Sequence, residues 1–137
     1  MPKMLVVDDD PAWRALYRMT FDGHFEIVEA SDGQEGLDAL ETCNPDVIVL
    51  DLRMPRMDGL DFIRRLGRKQ VRGAIVVCSG VLQDADRPQI PGVQMTPKSP
   101  DLRDLWSALI SAMPDLGWPS APIKESPSPT GTFFWRD

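Results

Sequence analysis

Three acidic residues that follow apolar runs are the groups in this sequence best suited to chemistry. Met4-Leu5-Val6-Val7 stops at Asp8-Asp9-Asp10, and Val47-Ile48-Val49-Leu50 stops at Asp51. A third run, Ala74-Ile75-Val76-Val77-Cys78, ends in Ser79-Gly80, and a short fourth, Val93 to Thr96, is followed by Pro97-Lys98. Taken singly, each polar residue is as readily a solvated strand end or a turn-former. Brought together, Asp8, Asp9 and Asp51 repel one another, and a hard divalent cation relieves that repulsion. Ligands that are all oxygen and few in number favour Mg2+ with several waters retained. Lys98 adds a positive point charge for an anion, and Ser79 a hydroxyl. Such a set suits a phosphoryl group arriving at Asp51, because phosphoryl transfer needs mainly positioning and charge neutralisation. A carboxylate nucleophile then gives an aspartyl phosphate.

The elements that must position these groups follow from the pattern around them. Uninterrupted aliphatic runs read as strands buried on both faces of a parallel sheet, and in open α/β sheets the crevice at the carboxyl ends of the strands binds ligands. Asp10-Pro11 is a natural helix start, an N-cap followed by proline at the first helical position, and Trp13, Leu16, Tyr17 and Phe21 give the next helix one apolar face. Phe25 to Ala30 alternates as an edge-type strand. Ser31-Asp32-Gly33 with Glu35 can cap a helix carrying Leu37, Ala39 and Leu40, which ends before Asn44-Pro45. Leu60, Ile63 and Leu66 mark a third helix, with Arg64, Arg65, Arg68, Lys69 and Arg72 as a basic, solvated far end. From Val81 to Gln94, Pro88 and Pro91 leave room for one or two helical turns at most. Ser99-Pro100 is expected to open a last helix with Leu102, Leu105, Trp106, Leu109 and Ile110 on one face. The repeated β-α order predicts parallel strands joined by right-handed crossovers.

At 137 residues the chain fits one domain with a sizeable core. Beyond Met113 the sequence turns proline- and serine-rich and closes on Phe133-Phe134-Trp135, so residues 114–137 read as an extended tail, free or docked through its aromatics. A net charge of −6 argues against direct binding to nucleic acid or to an anionic membrane surface. Cys43 and Cys78 lack the spacing of a redox or zinc pair and read as small buried hydrophobes in a reducing compartment. His24 reads as a solvated turn residue. With no apolar stretch of membrane-spanning length and no leader pattern, a cytoplasmic location is expected.

On Val6-Val7-Asp8-Asp9-Asp10-Pro11, Leu50-Asp51-Leu52-Arg53-Met54-Pro55, Met57-Asp58-Gly59, Ser79-Gly80 and Lys98, the chain resembles the receiver domain of bacterial two-component response regulators. The resemblance spans residues 3 to about 112 and assigns 1–113 to the receiver. It implies a flavodoxin-like doubly wound five-stranded parallel sheet in the order 2-1-3-4-5, here with a shortened or irregular fourth helix. It further implies a signalling protein rather than a turnover enzyme. Asp51 would be the phospho-acceptor, with Mg2+ held by Asp9, Asp51 and the Arg53 carbonyl, and by Asp8 mostly through water. Ser79 and Lys98 would hold the phosphoryl oxygens. The implied partners are a sensor histidine kinase or phosphotransfer protein and an unidentified downstream protein, reached as a stand-alone receiver, with a homodimer through the tail as a further option. Three positions depart from the family pattern. Ser99 replaces the proline after the lysine, Met95 stands at the aromatic switch position, and the 81–94 segment is short. They raise a non-switching scaffold as the alternative. An aspartyl phosphatase ranks lower, because Arg53 occupies the place of its second acid, and a flavin-binding protein lower still, for want of a phosphate loop after the first strand.

Overall fold

The structure, a computed structural model, describes residues 1–66, 73–80 and 93–114. Five strands, β1 (Lys3–Val7), β2 (Glu26–Ala30), β3 (Val47–Asp51), β4 (Ala74–Ser79) and β5 (Val93–Pro97), form one sheet in the order β2-β1-β3-β4-β5. Every neighbouring pair is parallel, as the uninterrupted apolar runs and the flavodoxin-like expectation require. The helices are α1 (Pro11–Phe21), α2 (Gly33–Cys43), α3 (Gly59–Leu66) and α4 (Arg103–Ala112).

Because successive strand residues point to opposite faces, the sheet builds two cores. Met4, Val6, Val47, Val49, Val76 and Cys78 pack under α1 and α4, against Tyr17, Phe21, Leu105, Trp106 and Leu109. Leu5, Val7, Ile48, Leu50 and Val77 pack on the other side against Leu37 of α2 and Phe62, Ile63 and Leu66 of α3. All five residues of β3 are buried, which places it centrally and explains why its sequence has no alternation. β2 sits at the sheet edge and carries the mixed burial expected there.

The local signals act as the sequence implies. Asp10 caps α1 by accepting from the Ala12 amide at 2.8 Å, with Pro11 as the first helical residue. Asp32 accepts from the Glu35 amide at 2.8 Å while the Glu35 carboxylate accepts from the Ser31 amide and hydroxyl at 3.2 and 2.6 Å, a capping box set one residue out of its usual register. Asn44 ends α2 in the left-handed region, with φ of 47°.

The last helix departs from expectation. It begins at Arg103 rather than at Ser99-Pro100. Asp101 takes the Ser99 hydroxyl at 3.0 Å and the Arg103 amide at 2.9 Å, and Leu102 adopts a left-handed φ of 57° that turns its side chain into the core at 4 % exposure. Burial of Leu102 and the Asp101 turn therefore outweigh the proline start signal. The 81–92 stretch with its expected short helix, the basic residues Arg68, Lys69 and Arg72, and the tail from residue 115 lie outside the described residues. Among the described residues, no helix is long and apolar enough to cross a membrane.

Gly59 opens α3 under the end of β3, its amide donating to the Leu52 carbonyl at 2.8 Å. A Cβ there would stand 2.8 Å from both the Asp51 carbonyl oxygen and the Leu52 Cα. Those are backbone atoms, and they cannot yield by changing rotamer. Gly59→Ala is expected to lower the unfolding free energy by about 2 kcal/mol in urea titrations, as overpacking does. A midpoint equal to that of the wild type would show the loop after Asp51 to be deformable.

Candidate functional site

From β1 the chain crosses to β2 on one side and returns to β3 on the other, so the carboxyl ends of β1 and β3 flank the point where the winding reverses. Val7 and Leu50 are register partners, which sets Asp8 and Asp51 on the next rung, and Asp9 follows at the mouth. One carboxylate oxygen from each of the three acids lies within 4.8 Å of the others. Asp8 and Asp51 are 1 % and 8 % exposed, whereas Asp9 is open to solvent.

Asp8 is fixed on several sides. Its amide donates to the Ala30 carbonyl at 3.1 Å, its Oδ1 accepts from the Asp10 amide at 2.9 Å, and its carbonyl accepts from Arg14 Nη1 at 2.7 Å. Lys98 completes the pocket. It leaves β5 just past Pro97, its amide donating to the Ser79 carbonyl at 2.8 Å, and its side chain crosses the end of β4. Lys98 Nζ lies 2.7 Å from Asp8 Oδ2 and 3.4 Å from Asp51 Oδ2. Among the described residues every peptide bond is trans, including the one from Lys98 to Ser99, and the ammonium still lies on both buried acids.

The structure therefore brings together Asp8, Asp9, Asp51 and Lys98. Ser79, 1 % exposed, ends β4 one rung beyond the Asp51–Cys78 pair and is tied to Lys98 through the backbone. Arg53 is exposed, and its amide donates to Asp51 Oδ1 at 3.3 Å. Met95 is partly buried against the core that α2 and α3 cover.

The electrostatics follow from burial. Desolvation pushes the Asp51 carboxyl up to about 6; the Lys98 ammonium works against this, and the Asp8 charge adds to it. Burial disfavours the charged form of Lys98, but its hydrogen bond to Asp8 and the charges of Asp51 and Asp8 prevail and hold it above the ordinary lysine value. Three carboxylates thus face one ammonium, while burial rather than like charge is the main reason that the Asp51 carboxyl is raised. An all-oxygen donor set with surplus negative charge and one solvent-facing member fits a small divalent cation. Beneath the acids, burial pushes the Cys78 thiol up to about 12 and the Tyr17 hydroxyl well above the ordinary phenol range. The floor of the pocket is neutral and chemically quiet. Cys43 and Cys78 are both free and buried.

Two participants escape a reading by residue type. Trp13 reads as part of the apolar face of α1, yet its ring lies under the Lys98 ammonium, with Nζ 4.8 Å from the centroid. Arg14 gives no signal beyond a polar helix position, yet it anchors the Asp8 carbonyl. Their place in the first turn of the helix that follows Asp8-Asp9 is the clue that could have found them.

A family model described as the response regulator receiver domain matches residues 4–96. Response regulator MprA of Mycolicibacterium vanbaalenii is 46% identical over 66 residues, 47% of this chain and 28% of that protein. Chemotaxis protein CheY of Listeria monocytogenes is 34% identical over 85 residues, 61% of this chain and 71% of that protein. The alignment with MprA thus spans under a third of that relative's length. Among solved structures, response regulator protein TrrA from Thermotoga maritima in complex with Mg(2+)-BeF superposes with a TM-score of 0.72 at 25% identity, covering 82% of this chain and 99% of that one.

Proposed function

Because the chain belongs to the response regulator receiver domain family, we propose that Asp51 accepts a phosphoryl group from the phosphohistidine of a sensor histidine kinase or phosphotransfer protein. The observation that carries this reading is the Lys98 ammonium set against Asp8 and Asp51 at 2.7 and 3.4 Å. It puts a positive charge where phosphoryl oxygens arrive, beside a carboxylate that is largely ionised at neutral pH. An Asp51 carboxylate oxygen attacks phosphorus, the P–N bond breaks, and its electron pair stays on the donor imidazole. Lys98 and the Ser79 hydroxyl meet the equatorial oxygens as charge shifts onto them. Asp8, Asp9, Asp51 and the Arg53 carbonyl would hold Mg2+, which neutralises the phosphoryl charge when bound. The acids, the hydroxyl residue and the lysine are all retained, which supports phosphoryl acceptance over the non-switching scaffold.

Signalling then proceeds through protein contacts. A phosphoryl group adds charge that Lys98 and Ser79 must follow, and the two are joined by the Lys98 amide to Ser79 carbonyl hydrogen bond, so the ends of β4 and β5 move as a unit. Met95 supplies no aromatic rotamer to this motion, which leaves the β5–α4 side as the element to be read by the downstream protein. Residues 1–113 make up the receiver under this reading, and 114–137 its tail.

Incubation with a small phosphodonor such as phosphoramidate and Mg2+, followed by intact-mass measurement, is expected to give a single phosphoryl adduct. Chelation with EDTA is expected to suppress it at least about a hundredfold, the scale of losing the main charge-stabilising group. An unmodified mass with Mg2+ present would overturn the proposal.

A further inference from the structure

Lys98 carries a flexible four-carbon stem across the end of a neighbouring strand, and something must keep its head over the acids while their charge changes. A phosphoryl group on Asp51 replaces one of the two carboxylates that hold it with phosphoryl oxygens, so the ammonium has to change partners. Among the described residues, a contact that depends on neither acid is the Trp13 ring, 4.8 Å from Nζ to its centroid. Trp13 is itself well fixed. It lies in the first turn of α1 between the Asp10 cap and Arg14, whose Nη1 donates to the Asp8 carbonyl at 2.7 Å, and its ring packs 6.1 Å from that of Tyr17. The ring and the carboxylate that grips Lys98 are therefore tied to one another. With this shield the lysine side chain is only 9% exposed.

Resting on the reading of Asp51 as phospho-acceptor, we propose that Trp13 is a positioning residue for phosphoryl transfer, holding the Lys98 ammonium through its ring face while the charge on Asp51 changes. The attraction of an ammonium to an aromatic face is electrostatic but weakly directional. Nζ can move from the carboxylates toward phosphoryl oxygens without giving the contact up. A leucine in the same place shields from water but does not attract, and a phenylalanine restores part of the attraction.

The test compares the wild-type chain with Trp13→Phe and Trp13→Leu. Phosphorylation by phosphoramidate at fixed Mg2+ is followed by intact mass, and the Lys98 Cε methylene by carbon–proton NMR, assigned by its loss in Lys98→Met. In the wild type the methylene protons are expected well upfield, displaced by the ring current, with part of the displacement kept in Trp13→Phe and none in Trp13→Leu. The rate is expected to fall about fivefold in Trp13→Leu and about twofold in Trp13→Phe, the range of a partly desolvated cation–π contact. Equal rates in the phenylalanine and leucine variants would overturn the inference and leave Trp13 a packing residue. So would an undisplaced Lys98 methylene in the wild type. A wild type that takes no phosphoryl group overturns the phospho-acceptor reading itself, and the inference with it.

Discussion

Asp51→Asn is expected to abolish phosphoryl acceptance and, in the absence of divalent cations, to make the fold more stable. The first effect is chemical. The amide has no charged oxygen to attack phosphorus, and Asp8, the other buried acid, is already engaged by the Lys98 ammonium and the Asp10 amide, so the adduct seen by intact mass is expected to fall by at least about a thousandfold, to below detection. A comparable adduct in the variant would place the acceptor elsewhere. The second effect follows from the burial of the carboxyl. The Asp51 carboxyl is pushed from 3.8 to about 6 in the folded chain, with burial as the main cause. Ionising it therefore costs more in the native state than in the unfolded chain, by about 3 kcal/mol for a shift of this size. Asparagine keeps the shape of the neutral acid and avoids that cost.

The sign of the pH dependence distinguishes this account from a simple loss of packing. A carboxyl whose native value lies above its unfolded one adds stability below pH 3.8 that is lost as the pH rises through about 6. Asp51→Asn is therefore expected to exceed the wild type by about 3 kcal/mol at pH 7 in EDTA, and the gap should close as the pH falls toward 4. Urea titrations across that range check it. A variant less stable than the wild type at pH 7 would mean that the Lys98 ion pair outweighs the desolvation of Asp51.

Much of this site was legible in the sequence because its groups stand at the ends of elements that announce themselves. Val47 to Leu50 can only be a doubly buried strand, and a residue at the end of such a strand has one place to be. The same logic located Asp8, Asp9 and Ser79. Lys98 was harder to place, since its chain enters from the edge strand β5, two strands from β3, and the Ser99 that follows lacks the family's proline. The β4–β5 ladder, continued by the Lys98 amide on the Ser79 carbonyl, supplies the register. Pro100 is a strong local signal for an earlier start to α4, whereas the burial of Leu102 that sets the start at Arg103 is a tertiary one. Trp13 was invisible as a site residue for a similar reason. An apolar residue at helical spacing reads as core, and whether its ring edge or face meets a cation depends on a strand more than eighty positions away in sequence.

Removing the ammonium gives the largest expected loss of stability. Lys98→Met keeps an apolar stem of similar length but leaves Asp8, at 1 % exposure, and Asp51, at 8 %, as buried acids without the Lys98 ammonium between them. Breaking one side of a buried ion pair costs about 3 to 5 kcal/mol, and here the lower end is expected because Asp51 can take up a proton. The Lys98 charge lowers the Asp51 value in the wild type, so its loss moves that value further above 3.8. The deficit in Lys98→Met is accordingly greatest at neutral pH and shrinks on acidification, as the Asp51 carboxyl takes up its proton. Divalent cation should partly replace the missing charge. At Mg2+ a hundred times its dissociation constant, about 2.7 kcal/mol of stability returns by mass action, and the dissociation constant itself should be lower than in the wild type. Phosphoryl acceptance is expected to stay low even then, by about a hundredfold, because the charge that Lys98 offers to the phosphoryl oxygens is still missing. Urea titrations of Lys98→Met at pH 5 and 7, with EDTA and with Mg2+, separate these terms. Equal stability with the wild type at pH 7 in EDTA would mean that Asp51 is already protonated without the lysine, and that the pocket does not hold the charge a phospho-acceptor needs.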